Sequence, residues 1–207
     1  MTLDEETRAR LREGILAKRD YAGYFNWDID KDLAEWGVVQ ELCASLDATG
    51  VSFFDDFALR GRGNDPPDLE AVTFDGRRLA IEVTELVDGE AIKQDKFVKK
   101  LPNPTWQDKL AIPTAWGKDL LSERLQKLIT SKDGKFPKLL GGPYPGGYCV
   151  VVFTDEPDLT PEKLQELLEE EKFTAENIDR CFLLVGYQPF QEHLTYFELT
   201  LERKVKK

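Results

Sequence analysis

The segment Asn64-Asp-Pro-Pro-Asp68-Leu-Glu70, followed after Gly76 by Leu79-Ala-Ile-Glu82-Val-Thr84-Glu85-Leu86, restricts what this chain can build more than any other part of it. Asp75-Gly76 separates two short runs of strand character, so the pair reads as a hairpin with strands near 68–74 and 78–86. Side chains alternate along a strand. Asp68 and Glu70 therefore point one way, Ala80, Glu82 and Thr84 share a face, and Ile81 and Val83 take the opposite, packed side. A carboxylate inside an apolar strand is costly unless it is paired, hydrated or bound to a metal. Two of them on adjacent strands, Asp68 and Glu82, make a candidate divalent-cation site.

The rest of the chain supplies the surroundings. Residues 3–18 predict a helix with Leu11, Ile15 and Leu16 on one side, and Tyr21, Tyr24, Phe25 and Trp27 an aromatic clasp. Asp30 or Asp32 caps a helix to about Leu46, with Leu33, Trp36, Val39, Leu42, Cys43 and Leu46 at core spacing and Thr49-Gly50 ending it. A strand over 51–58 and a Gly/Pro loop over 60–67 lead into the hairpin. Beyond it come a short helix over 88–100, a loop over 102–113 carrying Trp106, and a helix over 116–131 that stops near Gly134. Tyr148–Phe153 is apolar throughout, as a strand buried on both faces requires. Thr160-Pro161 starts another helix, whose solvated face runs over Glu162–Glu171 above Leu164, Leu167 and Leu168. Residues 181–187 and 194–201 read as further strands. The Gly141–Gly147 loop lacks the Lys-Ser/Thr ending and following helix of a phosphate loop, and Asp155-Glu156 reads as a second acid pair or, in preference, as a turn approaching a helix. With no repeat and no linker, 1–207 is expected to be a single domain.

Pro67-Asp68, the hairpin, and Glu82-Val83 resemble the active-site signature of the PD-(D/E)xK nuclease superfamily, with Thr84 standing where that pattern has a lysine. The resemblance covers roughly residues 31–155. It implies an α/β, restriction-endonuclease-like fold, an α-β-β-β-α-β core with a mixed sheet flanked by helices, here with N- and C-terminal additions. It also implies that Asp68, Glu82 and the carbonyl of Val83 hold a Mg²⁺ or Mn²⁺ ion. A glutamate from the helix before the first strand often joins such a site; Glu35 is the preferred candidate and Glu41 the other, each also readable as a solvated helix residue. Glu70 reads equally as a further ligand or an outward charge.

The superfamily lysine orients or deprotonates the attacking water and offsets charge at the scissile phosphate. Thr84 supplies no charge, but some members carry the lysine on a neighbouring helix. On a wheel of about 100° per residue, Leu121, Leu125 and Leu128 form a stripe that Lys132 continues, with Arg124 near its edge. Lys132 is thus the expected surrogate, ahead of Lys127 and Lys93; its other reading is a last-turn lysine complementing the helix dipole.

Composition narrows the classes. His193 is the only histidine, so histidine metal cages and Ser-His-Asp triads are poor candidates. Cys43, Cys149 and Cys181 lack close-pair spacing and read as buried thiols in a reducing compartment. No apolar run approaches the roughly 20 residues of a membrane span, and residues 1–12 lack a signal core, so a cytoplasmic protein is expected. The net charge of −11 argues against a nucleic-acid partner. Residues 93–138, however, hold eleven Lys/Arg against five Asp/Glu, and 155–207 thirteen acidic against seven basic. The basic stretch is a candidate contact for DNA or RNA, or a solvated surface. The expected activity is Mg²⁺-dependent phosphodiester hydrolysis, that of a nuclease. The alternatives are an inactive binding module on the same fold, for a nucleic-acid or protein partner, and an acidic inhibitor-like protein.

Overall fold

A computed structural model describes residues 31–61, 63–98, 100–101, 115–186 and 192–203. The expected helix over 3–18, the aromatic clasp at 21–27 and the Trp106 loop lie outside them. The described chain is mixed α/β. Its elements run α1 (Lys31–Thr49), β1 (Phe54–Leu59), β2 (Leu69–Thr73), β3 (Arg78–Glu85), α2 (Gly89–Val98), α3 (Lys118–Asp133), a 3₁₀ turn (Phe136–Lys138), β4 (Gly147–Thr154), α4 (Pro161–Leu167), β5 (Phe173–Ala175), β6 (Arg180–Val185), β7 (Thr195–Glu198) and β8 (Leu201–Arg203). Six strands form one sheet in the order β1-β2-β3-β4-β6-β7. β3, β4 and β6 are parallel neighbours, and the remaining pairings are antiparallel.

Local chemistry explains the boundaries. The β2–β3 hairpin closes through Phe74-Asp75-Gly76, with Gly76 N–H donating to Thr73 O at 2.8 Å and Gly76 at φ +79°. That is a tight turn ending in a left-handed residue, the position glycine fills without steric cost. The start of β4 then docks on the hairpin through Gly146 N–H to Arg78 O at 2.7 Å. A Cβ at Gly146 would stand 2.7 Å from that same oxygen, so the close approach needs glycine. Thr160 caps α4, its hydroxyl accepting from Lys163 N–H, with Pro161 at the first helical position.

The sheet is covered on both faces. α1 lays Val38, Val39, Leu42 and Leu46 on Leu69, Leu79, Ile81, Val83, Val151 and Phe182. α3 lays Leu121, Leu125 and Ile129 on Ala80, Tyr148, Val150, Val152 and Leu183. Each such aliphatic side chain contributes about 1.5–3 kcal/mol by leaving water. Three expectations are corrected. The Ala80–Glu82 face is packed under α3, as deeply as the Ile81–Val83 face is under α1. The buried stripe of α1 is turned away from Leu33 and Trp36, which stay 50% and 40% exposed; Glu35, Ser45 and the aliphatics above carry the contact instead. The helix expected over Glu162–Glu171 ends at Leu167, and the chain turns into β5, which pairs with β8 in a separate two-stranded sheet that the pattern did not announce. All three cysteines are free, and burial pushes the Cys43 and Cys181 thiols up to about 12. No helix among the described residues is long and apolar enough to cross a membrane.

Candidate functional site

Asp68 stands one residue before β2, and the β2–β3 register pairs Leu69 with Ile81, which places Asp68 opposite Glu82. Its Oδ2 accepts a hydrogen bond from the Val83 N–H at 2.8 Å. Val83 thus holds Asp68 through its backbone, and the carbonyl of a strand residue leaves on the same edge as its N–H. Glu82 sits in mid-strand beneath α3 with no exposed surface. Two lysines reach it. Lys132 Nζ donates to Glu82 Oε2 while lying 3.5 Å from Asp68 Oδ2, and Lys135 Nζ donates to the same Glu82 oxygen at 2.9 Å. Glu82 Oε1 is buried with no hydrogen-bond partner among the described residues.

The end of α3 is what delivers Lys132. Leu121, Leu125, Ile129 and Lys132 form its buried stripe. Asp133 accepts from the N–H groups of Glu176, Asn177 and Ile178, and the Tyr148 hydroxyl donates to Lys132 O at 2.9 Å. Burial, reinforced by the charges of Glu82 and Asp68, raises the Tyr148 phenol well above its ordinary range, so it stays a donor. Burial pulls the Lys135 ammonium down, but its hydrogen bond to Glu82 and the charges of Glu82 and Asp68 outweigh that, and its pKa is raised. Two carboxylates and two ammonium groups therefore meet under α3, charge against charge, with one carboxylate oxygen to spare.

A cavity of about 270 Å³, lined by Lys31, Asp32, Glu35, Gly61, Gly63, Asp65 and Asp68, shares Asp68 with this cluster. Glu35 lies in that wall, ion-paired to Lys31 at 2.7 Å; Glu41 does not line it. Burial raises the Glu35 pKa, with the Asp68 charge adding to it and Lys31 and Lys132 opposing. A carboxyl that binds its proton more tightly in the folded state adds stability at low pH and loses it as pH rises through the folded pKa. Glu35→Gln is expected to raise the melting temperature at pH 7 and to leave it unchanged near pH 4, measured by thermal denaturation at both.

The other candidates are elsewhere. Glu70 accepts from Arg60, from Arg78 at 2.8 Å and from the Tyr144 hydroxyl at 2.6 Å, tying the loops around the hairpin together. Lys93 pairs with Glu90 at 2.6 Å, and Lys127 is exposed on α3, so neither reaches the carboxylates. Within the described part of the basic stretch, Lys118 pairs with Glu171 at 3.3 Å. Two participants escaped sequence reasoning. Lys135 lies beyond the helix, past Gly134, where helical phase says nothing. Glu156, in the segment between β4 and α4, is buried and accepts from Asp88 N–H at 2.6 Å and Trp116 Nε1–H at 3.2 Å, clamping both ends of the excursion between β3 and α3. Acids placed directly after an apolar strand were the available signal.

No group of three or more His, Cys, Asp and Glu side chains with metal-holding spacing occurs among the described residues. Searches of protein-family models, curated proteins and solved structures find no match to this chain.

Proposed function

We propose that this chain is a metal-dependent nuclease of the PD-(D/E)xK type in which Lys132 replaces the lysine absent at Thr84. The observation that carries this reading is Lys132 Nζ lying between Glu82 and Asp68, reached from α3 rather than from β3. The succession α1, β1, β2, β3, α3, β4 around one mixed sheet supports the restriction-endonuclease-like core, with α2 as an addition between β3 and α3.

The donor set suits Mg²⁺ better than a cation that needs a full protein cage. Mg²⁺ is commonly held by one or two carboxylates, keeping waters and gaining substrate phosphate oxygens. Asp68, the spare Oε1 of Glu82 and the Val83 carbonyl are the groups that would hold it. When bound, such an ion acidifies a water and polarises the phosphoryl oxygens. The protein's own part is electrostatic. Lys132, fixed by the helix end, orients the nucleophilic water and faces developing charge. Lys135, half-exposed and held protonated by its carboxylate neighbours, donates to the incoming phosphate. His193 is exposed and takes no part.

The test is cleavage of labelled single- and double-stranded DNA and RNA with Mg²⁺ or Mn²⁺. Wild type is expected to cut at least one of them, and Asp68→Asn to lower the rate by about 10³-fold. Wild type that cuts none, or Asp68→Asn that cuts normally, leaves the carboxylate–lysine cluster as an anchor of α3 on a binding module.

A further inference from the structure

Directly after Lys135 the chain places Phe136, Pro137 and Lys138 in the 3₁₀ turn, all three exposed. Phe136 keeps 40% of its surface in solvent while part of its ring rests on Tyr148, centroids 5.8 Å apart. The ring is thus backed by the residue whose hydroxyl holds the end of α3. The same segment is fastened to the loop before Asp68 by Leu140 N–H to Pro66 O at 2.7 Å. With 40% of its surface uncovered, the ring offers a face to a flat partner, and its place between Lys135 and Lys138 in the sequence puts that face in a cationic setting. From this, and resting on the nuclease reading above, we infer that Phe136 is a base-stacking platform and that the site takes a single-stranded polynucleotide.

Charge and shape both favour a single strand. Consecutive residues lie about 3.8 Å apart at Cα, so a strand whose phosphate meets the Lys135 ammonium has a base within reach of Phe136. Only an unpaired base offers a face to stack; in a duplex the neighbouring pairs cover it. Duplex DNA carries about one charge per 1.7 Å, a single strand about half that. A protein with a net charge of −11 opposes the denser polyanion more strongly, and local stacking is the compensation open to the other. Other exposed aromatics are placed differently. Trp36 leans on Phe57 with centroids 5.9 Å apart and follows Glu35, not a lysine. Phe74 is at the hairpin tip and Phe97 on α2, neither next to the lysine pair.

Fluorescence anisotropy of the full chain with short labelled oligo(dT), oligo(rU) and a hairpin duplex, in EDTA and in Ca²⁺, decides the matter. Wild type is expected to bind a single strand about tenfold tighter than the duplex, the oligo(dT) and oligo(rU) arms assigning DNA or RNA. Phe136→Leu, which keeps an apolar cover on Tyr148 but has no π face, is expected to weaken single-strand binding by about tenfold, with Phe136→Trp keeping it. Equal affinity for strand and duplex, no single-strand binding in either buffer, or a Leu variant that binds like wild type overturns the platform. Cleavage is read separately. A protein that binds single strands through Phe136 but cuts nothing keeps the platform and loses the nuclease reading; one that cuts duplex faster than single strands does the reverse.

Discussion

Lys132→Met is expected to abolish metal-dependent cleavage and to destabilise the fold at the same time. The ammonium is buried and shared by Glu82, which has no exposed surface, and Asp68. Removing one member of a buried pair costs about 3–5 kcal/mol because the other charge stays behind. Lys135 remains on Glu82 Oε2, so the lower end, about 3 kcal/mol, is expected. Methionine preserves most of the volume, which keeps a packing defect from being mistaken for a charge effect. Denaturant midpoints measure the loss. Glu82→Leu combined with Lys132→Met should regain most of it, since removing both charges removes the stranded one, yet should regain no cleavage. Thr84 shares its face with Glu82, so Thr84→Lys can present an ammonium to the same carboxylates. In the Lys132→Met chain it is expected to return part of the cleavage rate. A purely structural Lys132 predicts the stability loss without any change in cleavage, and that result would remove it from the mechanism.

How such a site can be half visible in sequence follows from where its parts come from. Asp75-Gly76, Tyr148–Phe153 and Thr160-Pro161 are local signals with one physical meaning each, and the hairpin, β4 and α4 begin or turn where they say. Lys132 was visible because helical phase is strict: the stripe through Leu121 and Leu125 reaches it whatever the partner. Apolar spacing placed Leu33 and Trp36 in the core because it passes over polar residues, whereas the stripe that packs runs through Glu35, Val38, Leu42 and Ser45 and leaves those two outside it. Lys135 and Phe136 follow the helix, so only the way the chain folds back after Gly134 reveals them. β5 and β8 are three residues each, too short for alternation to register, and they meet through a contact between distant parts of the chain. The chemistry of Glu156 was equally out of reach, because its donors, Asp88 and Trp116, stand at the ends of a long excursion.

Asp68→Asn with Glu82→Gln is expected to separate catalysis from binding more sharply than any single change. The cluster holds two carboxylates against Lys132 and Lys135. Neutralising both acids leaves the two ammonium groups with amide oxygens in place of the carboxylates they now meet. Cleavage should fall by about 10³-fold or more, because neither side chain then offers a hard anionic ligand. Binding should move the other way. Each ammonium released to a single-strand phosphate steepens the dependence of log K on log salt by about 0.7, so two steepen it by about 1.4. The double variant should therefore hold a single strand about tenfold tighter than wild type at low salt and lose that advantage as salt rises. The cost is borne by stability, since Lys132 keeps its place beneath α3 without a counter-charge, and a lower denaturation midpoint is expected alongside. Anisotropy titrations over a range of salt concentrations give the slope directly. An unchanged slope with unchanged affinity would mean that the two lysines serve the carboxylates alone and never meet phosphate.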